Sequence, residues 1–103
     1  MSFENNANSF RSWLAYNEGL TVESAGSYVS YCRRVERDLK LSLDEWLVTG
    51  DRLEVVITRI GVVIPSKKSQ GNLQTATRRY CHFLAWQASS FDSQKVSSSH
   101  TGP

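Results

Sequence analysis

An all-α bundle of four or five helices with a flexible C-terminal tail is the fold that the sequence predicts. Three observations predict it. Apolar residues return every three to four positions through two long segments, Val22 to Lys40 and Ser69 to Ala88. Thr21, Ser42 and Asp51 each stand before such a pattern with acidic residues close behind, as helix caps do. From Ser89 the chain reads SSFDSQKVSSSHTGP, which is Ser-rich and without sustained period. At 103 residues, 40% hydrophobic and 21% charged, the chain can bury one modest core. The expected division is a helical body over 1–88 and a disordered tail over 89–103, with Phe91 the one residue placed to dock back.

The first helix is expected to start at Asn8 or Ser9 and to end at Gly19, with Phe10, Trp13 and Leu14 on its inner face. The second is capped by Thr21 and carries Val22, Ala25, Tyr28, Val29, Cys32, Val35 and Leu39 in an arc of roughly 140°. Glu36 falls inside that arc. It is expected to pair with Lys40 one turn on or with an arginine from another helix. Ser42-Leu43-Asp44-Glu45 opens a short third helix closed by Gly50. Asp51-Arg52-Leu53-Glu54 opens a fourth closed by Gly61. Leu43, Trp46, Leu47, Leu53, Val56, Ile57 and Ile60 face inward from these two, and Trp13 and Trp46 are both expected to be buried. Val55-Val56-Ile57 is β-branched, but the flanking caps favour helix. Val62-Val63-Ile64 before Pro65 is expected to be extended and laid against the core. The fifth helix buries Leu73, Ala76, Tyr80, Phe83 and Leu84 along an arc of roughly 100°.

Function is harder to read. No apolar run reaches the roughly 20 residues of a membrane span, and the N-terminus shows no secretory signal. Cys32 and Cys81 lie far apart without zinc spacing and read as reduced thiols in a cytoplasmic protein. Cys81 and His82 are adjacent on a helix, so they point about 100° apart and make no nucleophile–base pair. Cys81 reads as a small residue at the rim of the core and His82 as a surface residue or a phosphate contact. Asp44 and Glu45 read as first-turn helix carboxylates. No phosphate-cradling glycine motif occurs. Neither catalysis, a metal nor a cofactor is expected.

The charge of +2 excludes a polycation, so any nucleic-acid surface must arise by clustering. Basic residues gather as Arg33, Arg34, Arg37 and Lys40 on the second helix, Lys67 and Lys68 before the fifth, and Arg78 and Arg79 within it. Cations on exposed helix faces can neutralise phosphates. Ser27, Ser30, Gln74, Thr75 and His82 add hydrogen-bonding groups on the same faces, while Glu36 and Asp38 lie among the cations. An ordinary solvated helix face has the same composition.

The stretch Gly19-Leu20-Thr21-Val22-Glu23-Ser24-Ala25-Gly26-Ser27-Tyr28-Val29-Ser30-Tyr31-Cys32-Arg33-Arg34-Val35 resembles the start of the second helix in the core-binding domain of tyrosine recombinases, the phage integrases. Phe10-Arg11-Ser12-Trp13-Leu14 upstream and Leu73-Gln74-Thr75-Ala76-Thr77-Arg78-Arg79-Tyr80-Cys81-His82-Phe83-Leu84 downstream fit the same pattern. The resemblance covers Ser9 to Ala88, with Ser24-Ala25 standing where the family usually has Thr-Ile. It implies a SAM-like bundle that grips duplex DNA. Ser27, Ser30, Arg34 and Arg37 would contact DNA from one helix and Thr75, Arg78, Arg79 and His82 from the other; Lys67 and Lys68, from the basic clustering alone, complete the expected DNA-binding set. The family's catalytic domain has no counterpart here, so the expectation is a non-catalytic DNA-binding module, with no recombinase activity in this chain alone. The alternatives are a protein-interaction module docking through Trp86 or Tyr31, and a mobile gene-cassette product with another role.

Overall fold

The computed structural model describes residues 3–48 and 51–101, with side chains described as far as residue 89. It is an all-α bundle of five helices: α1 (Phe3–Tyr16), α2 (Val22–Leu39), α3 (Leu43–Leu47), α4 (Leu53–Val63) and α5 (Lys67–Thr101). The side chains of the expected flexible tail, from residue 90 on, lie outside the described residues; the α5 backbone runs on to Thr101.

Helix α1 starts well before the expected caps. Phe3 and Ala7 continue the stripe of Phe10 and Leu14 at steps of three to four, and all four are buried. Phe3 packs edge-on against Tyr80, ring centroids 4.9 Å apart, and against Phe10 at 6.3 Å. This burial outweighs the weak helix propensity of the asparagines around it, and Asn8 and Ser9 become exposed mid-helix residues. The chain leaves α1 through Gly19, whose φ of 70° suits a residue without Cβ.

Helix α2 starts as its sequence predicts: the Thr21 hydroxyl accepts from the Ser24 N–H at 3.1 Å. Val22, in its first turn, is 64% exposed and lies outside the core. The helix stops at Lys40, which takes a left-handed conformation with φ 55°. The N–H groups of Lys40 and Leu41 both return to the Glu36 carbonyl in a Schellman-type closure. Ser42 then caps α3, accepting from the Glu45 N–H at 3.5 Å. Glu36 pairs with neither Lys40 nor an arginine. Its carboxylate accepts from the Leu43 N–H at 2.9 Å, supplying a partner to a donor that the start of α3 leaves unpaired.

Two expectations about α4 are corrected. Arg52 precedes it without a side-chain cap, so Asp51 is not its cap residue. The helix also passes through Gly61 and ends at Val63; only Ile64 is extended (φ −89°, ψ 119°), as the residue before Pro65 must be. Val62 and Val63 therefore lie on a helix with open flanks, 80% and 47% exposed, rather than against the core. Gly50 lies outside the described residues. Ser66 opens α5, its hydroxyl accepting from the Ser69 N–H at 3.4 Å and its carbonyl from the Gln70 N–H at 2.8 Å, so the helix begins at Lys67 rather than Ser69.

Contacts between α2 and α5 show that they are antiparallel: Arg34 reaches Ser69, while Cys32, nearer the start of α2, reaches the Ala76 carbonyl. Helix α1 runs parallel to α5. Phe10 meets Tyr80 and Phe83 at 5.0 and 5.5 Å, and Trp13 meets Phe83 and Trp86 at 5.7 and 6.2 Å. Trp13 is buried as expected. Trp46 is only half-buried: it packs against the core, and the guanidiniums of Arg52 and Arg59 lie over its ring.

Three polar side chains enter this core together. Asn6 Nδ2 donates to Asp44 Oδ2 at 2.9 Å and to the Tyr80 hydroxyl at 3.2 Å, and that hydroxyl donates to Asp44 Oδ1. All three residues are buried, and they tie α1, α3 and α5 to one point. Burial, then the Asp44 hydrogen bond, pushes the Tyr80 phenol well above its ordinary range, against the opposing bond from Asn6. The Cys32 thiol is pushed up by burial and, secondarily, by the charge of Glu36; both cysteines are free. No helix among the described residues is long and apolar enough to cross a membrane.

Candidate nucleic-acid interface

The antiparallel pairing of α2 and α5 decides which of the predicted surface residues meet. Ser27 and Thr75 come together at a shallow hollow of about 290 Å³, lined also by Leu20, Ser24, Tyr28, Tyr31 and Asn72. The Ser27 hydroxyl donates back to the Glu23 carbonyl at 3.2 Å, leaving its lone pairs to the outside. Tyr28 and Tyr31 stand edge to face at 6.1 Å along one wall. Further along the same seam, Arg34 reaches across to the Ser69 hydroxyl at 3.5 Å, which brings it beside the first turn of α5 and the exposed Lys67 and Lys68. At the other end Arg79 crosses to Glu18 at 2.8 Å.

The remaining candidates are scattered. Arg78 turns to α4 and pairs with Glu54 at 3.0 Å, so it lies off the α2–α5 seam. Arg37 is exposed and pairs with its neighbour Asp38 at 3.1 Å. Ser30 and His82 are exposed on α2 and α5.

The four arginines predicted to contact DNA are all engaged by the chain's own carboxylates. Arg34 and Arg37 both bond Asp38, and their hydrogen bonds hold its carboxyl below the usual range, the Arg34 bond first. Arg33 forks onto Glu4 of α1 at 2.8 and 3.0 Å and lowers that carboxyl in the same way. Solvent-exposed pairs of this kind hold weakly, because water screens them and both side chains must be fixed. A phosphate can therefore compete for these guanidiniums. Along the seam, four cations (Arg34, Lys67, Lys68 and Arg79) face the two carboxylates that pair with them (Asp38 and Glu18), so the surface keeps a positive excess.

The Arg34–Asp38 pair was open to sequence reading, since residues four apart on a helix face each other. Glu18 and Arg79, 61 positions apart, gave no local signal. The hollow's Asn72 and Ser24 were also missed, being ordinary polar residues until the two helices meet.

A second concavity of about 470 Å³ lies between α1 and α5, lined by Trp13, Tyr16, Phe83 and Trp86 with Asn8, Ser9, Ser12, Asn17 and Gln87 around them. The Trp13 indole N–H is buried there without a hydrogen-bond partner among the described residues. No group of three or more His, Cys, Asp or Glu side chains suited to a metal ion occurs among the described residues. Comparison of the chain with family models, curated proteins and solved structures finds no match.

Proposed function

We propose that this chain is a non-catalytic DNA-binding module that grips duplex DNA along the α2–α5 seam. The observation that carries the reading is the positive excess on that seam, set beside the hydroxyls of Ser27, Ser69 and Thr75. Guanidiniums and ammoniums neutralise phosphates, and short hydroxyls bond phosphate oxygens while carrying no sequence information of their own. The resemblance of Gly19 to Val35 and of Leu73 to Leu84 to tyrosine-recombinase core-binding domains supports the same reading and suggests a role near DNA recombination, in the cytoplasm, where the two free thiols would stay reduced. The seam's contacts differ from the set the resemblance implies: Arg79 belongs to it and Arg78 does not.

The test is a titration of the chain with duplex DNA at increasing salt. Binding that weakens steeply, with log affinity linear in log salt, is the expected result. Undetectable binding to duplex and single-stranded DNA at about 50 mM salt would remove the proposal, since screening is modest there.

A second reading, a protein-docking module, rests on the α1–α5 concavity. Trp86 is 42% exposed at its edge and Tyr16 lies largely in solvent beside it. Large aromatics in a concave setting are the anchors of protein interfaces. In that case Trp86→Ala, rather than changes along the seam, would abolish partner capture.

A further inference from the structure

The concavity between α1 and α5 carries two kinds of side chain and lacks a third. Its rings are Trp13 and Phe83, both buried, with Trp86 42% exposed and Tyr16 88% exposed beside them. Amides and hydroxyls stand around the rings: Asn8, Ser9 and Ser12 on α1, Asn17 just past its end, and Gln87 on α5. None of these five side chains has a hydrogen-bond partner among the described residues. The Trp13 indole N–H is a further donor without a partner, on a residue only 7% exposed. No Lys, Arg, His, Asp or Glu lines the concavity. Its volume of about 470 Å³ lies within the roughly 300–1,000 Å³ of small-molecule sites.

We infer that the α1–α5 concavity binds a neutral oligosaccharide whose rings carry equatorial hydroxyls, such as a short glucose polymer. Equatorial hydroxyls lie at the edge of a sugar ring and leave its C–H faces apolar. Those faces suit the exposed rings of Trp86 and Tyr16. Each hydroxyl both donates and accepts, as the amides of Asn8, Asn17 and Gln87 and the hydroxyls of Ser9 and Ser12 do. A purely apolar occupant, such as a leucine or phenylalanine from a partner protein, would strip water from these groups and return nothing. A nucleotide or other phosphate finds no cation here to neutralise it. Because α1 and α5 run parallel, the site extends along both; Asn8 to Tyr16 spans about 12 Å of helix. That length exceeds a single sugar ring or a single base and fits a short chain of sugars. The site shares no residue with the hollow of the α2–α5 seam, so it does not depend on the DNA reading.

The test titrates the full chain, isotopically labelled for NMR, with cellohexaose, maltohexaose, glucose and glycerol up to about 10 mM. At least one hexasaccharide should shift the amides of 8–17 and 83–87 and the indoles of Trp13 and Trp86 in a saturable way. It should bind at least about tenfold more tightly than glucose, because it covers more of the groove. Its affinity should be the same at about 50 and 500 mM salt, since no charge takes part. Trp86→Ala should abolish binding. Asn8→Ala combined with Ser12→Ala alters two exposed residues, and should weaken binding severalfold without lowering the melting temperature. No saturable shift from either hexasaccharide overturns the inference. So does a glycerol response equal to theirs, affinity that falls with salt, or unchanged affinity in the Asn8 and Ser12 variant. A neutral peptide bearing leucine and phenylalanine that saturates the same resonances, and that neither hexasaccharide displaces, overturns it as well.

Discussion

Asn6 and Asp44, 38 positions apart, meet inside the core with the amide nitrogen 2.9 Å from a carboxylate oxygen. The Tyr80 hydroxyl bonds both of them, so one buried carboxylate is served by donors from two other helices. Each donor removed leaves an acceptor in apolar surroundings, which costs more than the bond itself contributes. Tyr80→Phe should therefore destabilise the fold by about 1–3 kcal/mol although the ring that packs on Phe3 and Phe10 is kept. Urea unfolding with an unchanged m-value would measure it. A loss near zero would mean that Asp44 needs only Asn6.

The two tryptophans of the body should differ sharply. Trp13→Ala empties a site among Phe10, Phe83 and Trp86 and should cost about 3–5 kcal/mol. Trp46→Ala removes a half-buried ring and two cation–π contacts and should cost clearly less. Thermal melts of the two variants should rank them in that order.

Lys40 holds a left-handed conformation that costs a residue with a Cβ roughly 1–2 kcal/mol, partly offset in glycine by its larger unfolded-state entropy. Lys40→Gly should raise stability by roughly 0.5–1 kcal/mol. A lowered melting temperature would show that the lysine side chain contributes something its backbone does not reveal.

The pH dependence of Glu36 has an unusual sign for a carboxylate. Burial raises its pKa, the Leu43 N–H opposes that, and the charges of Asp44 and Glu4 add to it. A carboxyl raised on folding favours the folded state while protonated. Its contribution is complete below its ordinary value of 4.5 and is lost as pH rises through the raised folded value. Glu36→Gln keeps an acceptor for Leu43 and should be more stable than the parent at pH 7, with the advantage vanishing under acid. Glu4, lowered by Arg33, has the opposite sign: its contribution is present above its ordinary value and is lost as pH falls through the lowered one.

If the seam binds phosphate, its own carboxylates are competitors. Arg34→Ala with Arg79→Ala should make the salt slope of DNA affinity shallower by roughly two, at about 0.9 for each phosphate that is no longer neutralised. Asp38→Asn with Glu18→Gln should strengthen binding, since Arg34, Arg37 and Arg79 are then released. Weaker binding after the second change would mean that the ion pairs orient the guanidiniums for DNA instead of sequestering them.

Local signals were legible in the sequence. Thr21 and Ser42 cap where their position says they should, and the stripes of α2 and α5 reach the core from Ala25 to Leu39 and from Leu73 to Phe83. The failures have a common physical origin, which is that a residue's partner can lie outside its own segment. Phe3 begins α1 only because Tyr80 is there to receive it. Glu36 lies on an apolar arc because Leu43 has an N–H to satisfy. Arg78 and Arg79 are neighbours on one helix, yet they pair with acids on opposite sides of it. The candidate site shared this limit: the basic clusters were visible, but the acids that oppose them across the fold were not.

The parallel run of α1 beside α5 has a consequence for how the chain acquires its shape. Apart from one another, Phe3, Phe10 and Trp13 find their ring partners on α5, at Tyr80, Phe83 and Trp86. During synthesis the aromatic residues of α1 must therefore stay without their α5 partners until α5 has been made. Asn6 must likewise wait for a hydroxyl 74 positions later. Docking α1 on α5 closes a loop of that length, whose entropic cost grows only as the logarithm of its size but must be met before any of these contacts form. The fluorescence of Trp13 during refolding would thus report the closing step, and a chaperone that shields short aromatic segments would act on α1 first.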